Sequence, residues 1–208
     1  MSAKKLRLDD TSQRRSFHCI VVGVSAGGMK ALPAVLSSLP AAFPLPAVVV
    51  QHISPDGDNA FFVRHLNQRL SVTVKEAEEK EAIVPGHVYI APPNYHLLIE
   101  KDRSFSLSID EKVNYSRPSI DVLFESAADV YGPGLIGLIL TGASSDGARG
   151  LMKIKENGGV ALVQDPQSAE ARIMPKAAIE ACDVDYVLPL EEIGRLLVEL
   201  GTKKGGHE

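Results

Sequence analysis

The chain has 208 residues, 45% of them hydrophobic, enough to bury one sizeable core in a single domain. A formal net charge of -4 excludes nucleic-acid binding through a broad basic surface. With no apolar run of about 18 residues and a polar, mixed-charge stretch from Met1 to Ser16, neither a membrane span nor a secretory signal is expected. A cytoplasmic protein with protein or small-molecule partners is expected. Two cysteines, Cys19 and Cys182, offer neither a disulfide framework nor metal-ligand spacing and read as small core residues.

Residues 1–16 carry charge without periodicity and read as a flexible lead-in to a domain spanning 17–200. Phe17 to Val22 has the β-branched composition of a strand. It runs into Gly23-Val24-Ser25-Ala26-Gly27-Gly28, and apolar residues at Met29, Leu32, Val35, Leu36 and Leu39 then mark a helix face. Ala47 to Val50 is wholly apolar, as in a strand covered on both faces, and it ends in Gln51-His52. After the turn residues Ser54 to Asp58, a second helix shows Phe62, Leu66 and Leu70 on one side. Lys75 to Glu81 reads as a solvated charged run.

Between Ile83 and Val113 the pattern shifts to short strand-like runs, Val88 to Ala91, Tyr95 to Glu100 and Phe105 to Ile109, separated by Pro92-Pro93-Asn94 and Lys101 to Ser104. This predicts a β-hairpin-rich insertion. Pro118 opens a helix with core positions Ile120, Leu123, Phe124 and Ala127. Leu135 to Leu140 is a buried strand; the loop Thr141 to Gly147 carries one acid, Asp146, and a helix through Leu151 and Ile154 stops at Gly158. A strand at Val160 to Val163, a helix from Pro175, a strand at Tyr186 to Leu188 and a helix from Leu190 to Leu200 complete the domain, with 201–208 as a flexible tail.

The alternation predicts an α/β fold: a doubly wound, mostly parallel sheet with flanking helices. Ligands of such sheets bind outside the carboxyl ends of the strands, where Ser25, His52 and Asp146 all fall. Gly23, Ser25 and Gly28 occupy the positions of a dinucleotide fingerprint. Serine replaces the glycine that would admit pyrophosphate, however, and Gln51-His52 stands where a ribose-binding acid is expected. A phosphate-binding P-loop lacks its G-K-[ST].

Nucleophilic catalysis fits better. A serine hydroxyl needs a base, the base an orienting carboxylate, and the oxyanion N–H donors. Gly23 to Gly27 matches G-x-S-x-G in letters, but the order serine, histidine, acid differs from that of α/β-hydrolases. Taken singly, each residue has a structural alternative. Ser25 and Asp146 could cap helices, and His52 could be a hydrogen-bonded strand-end histidine. His96 could line a cleft or be structural.

The chain resembles the catalytic domain of the chemotaxis protein-glutamate methylesterases, the CheB family, from Phe17 to Leu200. The matching stretches are Gly23 to Gly28, Gln51-His52-Ile53, Pro85 to Pro92, Arg117 to Phe124, Leu140-Thr141-Gly142, Asp146-Gly147-Ala148, Gly158-Gly159, Gln164-Asp165 and Met174-Pro175. The resemblance implies a serine hydrolase acting on glutamate γ-methyl esters of chemoreceptor cytoplasmic helices, and on receptor glutamines. It assigns Ser25 as nucleophile, His52 as base and Asp146 as orienting acid, with Ala26, Ala143 and Met174 around the oxyanion and substrate. No metal or organic cofactor is implied.

Three departures stand out. The family's N-terminal receiver domain is absent from this chain, which implies a stand-alone esterase or an excised domain. Ala26 replaces a threonine, and Ala143-Ser144 replaces Met-Gly. Gly27 and Gly28 are expected to give a clean helix start and room for a substrate helix. The alternatives are a receptor-binding module without catalysis and a serine esterase or amidase with another substrate.

Overall fold

The computed structural model describes residues 16–52 and 59–203. The expected flexible lead-in, apart from residue 16, and residues 204–208 of the expected tail lie outside the described residues. In chain order the elements are β1 (Cys19–Val24), α1 (Gly28–Leu36), β2 (Ala47–Gln51), α2 (Asn59–Asn67), β3 (Thr73–Glu76), β4 (His87–Ile90), β5 (His96–Ile99), β6 (Phe105–Ser108), α3 (Ile120–Tyr131), β7 (Leu135–Ile139), α4 (Ala148–Glu156), β8 (Val160–Gln164), α5 (Ile173–Ala181), β9 (Tyr186–Leu188) and α6 (Leu190–Thr202).

Seven strands form one sheet in the order β3-β4-β2-β1-β7-β8-β9, and every pairing in it is parallel. The central strands β1, β2 and β7 are buried throughout, because helices cover both faces. Alternate residues of β1 serve two cores. Ile20, Val22 and Val24 join Leu32 of α1, Leu66 of α2 and Leu197 of α6. Cys19 and Val21 join Phe124 of α3, Leu151 of α4 and Ala178 of α5. The result is three layers, with the sheet in the middle.

The insertion is smaller than the sequence suggests. Its first strand, β4, is not part of a hairpin but lies in the main sheet, parallel to both β2 and β3. Only β5 and β6 pair antiparallel, as a separate two-stranded hairpin. Its residues Leu97, Ile99 and Phe105 join the same core as α3. The charged run from Lys75 hides the end of β3, an edge strand in which Val74 alone is buried, so no apolar run announces it. The closing helix continues through Gly201 and Thr202, the first two residues of the expected tail.

Cys19 is fully buried and Cys182 half-buried, and both are free thiols. Burial pushes the Cys19 thiol up to about 12 and that of Cys182 up to about 11. In native protein at pH 8, a thiol reagent should label Cys182 slowly and Cys19 only at a rate that rises with urea as the chain unfolds. Rapid native labelling of both would contradict this packing.

Candidate active site

Strand order reverses on either side of β1: the chain moves to β2 first and reaches β7 only later, leaving a crevice at the carboxyl edge. Ser25 follows β1, His52 follows β2, and Asp146 sits in the loop after β7. The Ser25 amide donates to Thr141 O (3.0 Å), and the His52 amide donates to Val24 O (3.0 Å). The β1 ladder thus continues into both candidates. Gln51 Nε2 donates to the carbonyl oxygens of Ser25 (3.0 Å) and His52 (2.9 Å), so one buried amide fixes the backbone beneath both.

The turn after Ser25 depends on glycine for reasons internal to the chain. Gly27 caps α1 with a left-handed φ of 86°. A Cβ at Gly28 would lie 1.8 Å from Gln51 Oε1, and one at Gly27 would lie 3.0 Å from Thr141 Cγ2. The helix start is as expected. The space freed by the two glycines, however, is filled by Gln51 and Thr141 rather than left for a substrate helix.

His52 Nε2 lies 2.9 Å from Asp146 Oδ2, with the histidine side chain 14% and the aspartate 0% exposed. An ionised carboxylate can only accept, so Nε2 carries the proton and Nδ1 presents its lone pair. No hydrogen bond joins Ser25 Oγ to His52 among the described residues. Such contacts commonly tighten only once substrate is bound.

The Asp146 carboxylate sits at the N-terminus of α3. Oδ2 accepts from the Ile120 amide (2.7 Å), and Oδ1 accepts from Ser119 Oγ (2.8 Å), the Asp121 amide (3.2 Å) and Asn114 Nδ2 (3.0 Å). Burial alone would raise its pKa. The bonds from His52, Asn114, Ile120 and Ser119 outweigh that and hold the carboxyl below its ordinary value. Asp146 is therefore a helix cap, but of α3; its own helix α4 is capped by Gly147.

Asp121 returns the arrangement. From the first turn of α3 its Oδ1 accepts the amides of Gly147 (3.0 Å) and Gly150 (2.8 Å) at the start of α4, and Asn114 Nδ2 donates to its Oδ2 (2.8 Å). Here burial, with the nearby Asp146 charge adding to it, outweighs those bonds and raises the pKa.

Of the expected oxyanion and substrate residues, Ala26 and Ala143 are exposed, and no hydrogen bond engages their amides among the described residues. The Met174 amide is occupied by Gly142 O (3.0 Å), so Met174 contributes its side chain. A Cβ at Gly142 would come within 2.5 Å of Met174 Sδ and 3.0 Å of Ser25 Cβ, which places all three side by side. Ser144, standing where the family pattern has glycine, has no left-handed φ, so the loop takes serine without strain. Beside Ala26, Thr141 Oγ1 donates to Ala26 O (2.8 Å) and accepts the Ala171 amide (2.9 Å).

His96 is structural and buried: Nδ1 accepts the Ser119 amide (3.2 Å) and Nε2 bonds Glu111 O (3.0 Å). Among the described residues no group of three or more His, Cys, Asp or Glu could hold a metal ion. Sequence reasoning missed Gln51, Asn114, Ser119, Asp121 and Thr141 as site builders. All but Asn114 lie in the quoted motif stretches, where their partners are not readable.

A family model described as CheB methylesterase matches residues 20–197. A Leptospira interrogans relative is 60% identical over 185 residues, covering 89% of this chain and 95% of the relative. The protein-glutamate methylesterase/protein-glutamine glutaminase of Thermotoga maritima is 38% identical over 200 residues, 95% of this chain and 58% of that protein. The crystal structure of the Thermotoga maritima CheB methylesterase catalytic domain superposes with a TM-score of 0.85 at 38% identity, covering 89% of this chain and all of that one.

Asp121→Ala would strip two buried α4 amides of their acceptor. Urea unfolding should show a loss of about 2–6 kcal/mol, at about 1–3 kcal/mol per orphaned group. A depressed carboxyl stabilises the fold above the ordinary carboxylate range, near pH 4, and that share is lost as pH falls through the folded pKa. Wild-type stability should therefore fall more steeply below about pH 4 than that of Asp146→Asn. Equal slopes would show that Asp146 is not held as described.

Proposed function

Because the chain belongs to the CheB methylesterase family, we propose that it hydrolyses glutamate γ-methyl esters on chemoreceptor cytoplasmic helices, and deamidates receptor glutamines, in chemotaxis. Ser25 is the nucleophile, His52 the general base and Asp146 its orienting acid. The observation that carries this reading is the bond from His52 Nε2 to a buried, multiply hydrogen-bonded Asp146, which turns the ring's other nitrogen, Nδ1, away from the acid beside the strand end that bears Ser25.

In the first half-reaction Ser25 Oγ attacks the ester carbonyl carbon while His52 Nδ1 takes the hydroxyl proton. The oxyanion forms against the amides of Ala26 and Ala143. Collapse expels the methoxy group, His52 returns the proton to it, and methanol leaves a γ-glutamyl ester on Ser25. Water then attacks that ester with His52 again taking a proton; that proton goes back to Ser25 Oγ, and the freed glutamic acid loses the water's second proton to solvent to become the carboxylate. With glutamine the same sequence releases ammonia. The imidazolium formed at each step is stabilised by Asp146, which stays ionised because five donors already point at it.

The test is methanol release from a methylated receptor cytoplasmic fragment. Ser25→Ala should lower kcat at least about a thousandfold, and Asp146→Asn about a thousand- to ten-thousandfold with little change in KM. Full activity in Ser25→Ala would remove the assignment, and activity on unrelated esters alone would replace the substrate.

A further inference from the structure

Beside His52 a cavity of about 140 Å³ is lined by Asn94, Lys112, Tyr115, Ser116 and Arg117 as well as by the histidine itself. At about 30 Å³ per water this is room for a few waters, or for the end of one short side chain. Its two charged groups, Lys112 and Arg117, are both cations. Among the described residues no carboxylate forms an ion pair with Lys112 or Arg117. Asp110 and Glu111 lie on the same loop but do not line the cavity.

The loop is held firmly in this form. Arg117 Nη1 donates to the carbonyls of Ile109 (2.6 Å) and Asp110 (2.9 Å), while its buried Nε has no partner. Asn114 and Tyr115 both adopt left-handed φ, 49° and 62°. For Asn114 the amide bonds to Asp121 and Asp146 account for it. For Tyr115 the outcome is an aromatic ring that is 98% exposed at the cavity mouth. Strained backbone, an uncovered aromatic and unpaired cations at one place are what a ligand clamp looks like before its ligand arrives.

We propose that this cavity is a subsite for a second carboxylate of the substrate, an acidic side chain within one helical turn of the reacting ester, drawn by Lys112 and Arg117 and covered by Tyr115. It rests on the methylesterase reading and adds a selection rule to it: among equivalent esters, those with an acidic neighbour are bound first. Residues three or four apart on a helix lie about 5–6 Å from each other at Cβ, so a neighbouring side chain reaches a pocket next to the one holding the ester.

The experiment uses the Ser25→Ala protein, which leaves the ester intact, and two fluorescein-labelled helical peptides carrying one glutamate γ-methyl ester with either Glu or Ala four residues away. Anisotropy should show the Glu peptide binding about three- to tenfold tighter at low salt, with the preference shrinking as salt screens it. Adding Lys112→Glu, an exposed position, should abolish or invert the preference, and circular dichroism should confirm that the fold is kept. Equal affinities for the two peptides, no binding of either, or a preference that survives Lys112→Glu would overturn the subsite. Methanol release by the wild-type protein is scored separately: its absence would count against the methylesterase reading, whereas the binding preference is read without turnover.

Discussion

The structure depends most on an exchange of carboxylates between two helix starts. Asp146, which precedes α4, accepts the first amides of α3; Asp121, in the first turn of α3, accepts the first amides of α4. Each helix N-terminus is an orphan-donor site with positive potential, and each is satisfied by the acid of its neighbour. Two buried carboxylates so close would repel, and Asn114 stands between them as a shared donor. The exchange locks α3 and α4 in register with each other, and α3 and α4 pack on the face of the sheet that ends at Ser25 and His52.

That lock determines the chemistry of the histidine. A carboxylate free to rotate could meet either ring nitrogen; one pinned by Ile120, Ser119, Asp121 and Asn114 can meet only the nitrogen that arrives, Nε2. Gln51 does the corresponding work from below, joining the carbonyls of Ser25 and His52. Thr141 does it from the side, joining the Ser25 turn to Ala171. The candidate groups on three strand ends are thus held by neighbouring polar side chains, and most of the precision of the site belongs to those holders.

The parts legible in the sequence are those with a local signature. β1, β2 and β7 are apolar runs that stop at polar residues, so the sheet edge and the trio Ser25, His52 and Asp146 can be read from them. β3 has one buried residue and no such run. β4 is a four-residue strand followed by Pro92-Pro93-Asn94, a pattern that a hairpin and a parallel strand leaving the sheet share; only the pairing with β2 and β3 distinguishes them. Asp146 shows the same limit within the site. Its spacing from α4 says cap, and it is one, but of a helix that begins 26 residues earlier in the chain. Asp121 and Asn114 act entirely through such pairings, so nothing local marks them.

Distance along the chain also has a meaning in time. His52 and Asp146 are 94 residues apart. At synthesis rates of about 5–20 residues per second, roughly five to twenty seconds separate the appearance of the histidine from that of its carboxylate. During that interval β1 and β2 can pair and place Ser25 and His52 next to each other, but nothing selects the ring nitrogen that faces the serine. A nascent chain therefore holds Ser25 and His52 without the carboxylate that fixes the ring, and that carboxylate is pinned only when α3 and α4 close on each other. In the proposed mechanism, a partly made copy that stops short of Asp146 therefore lacks its orienting acid.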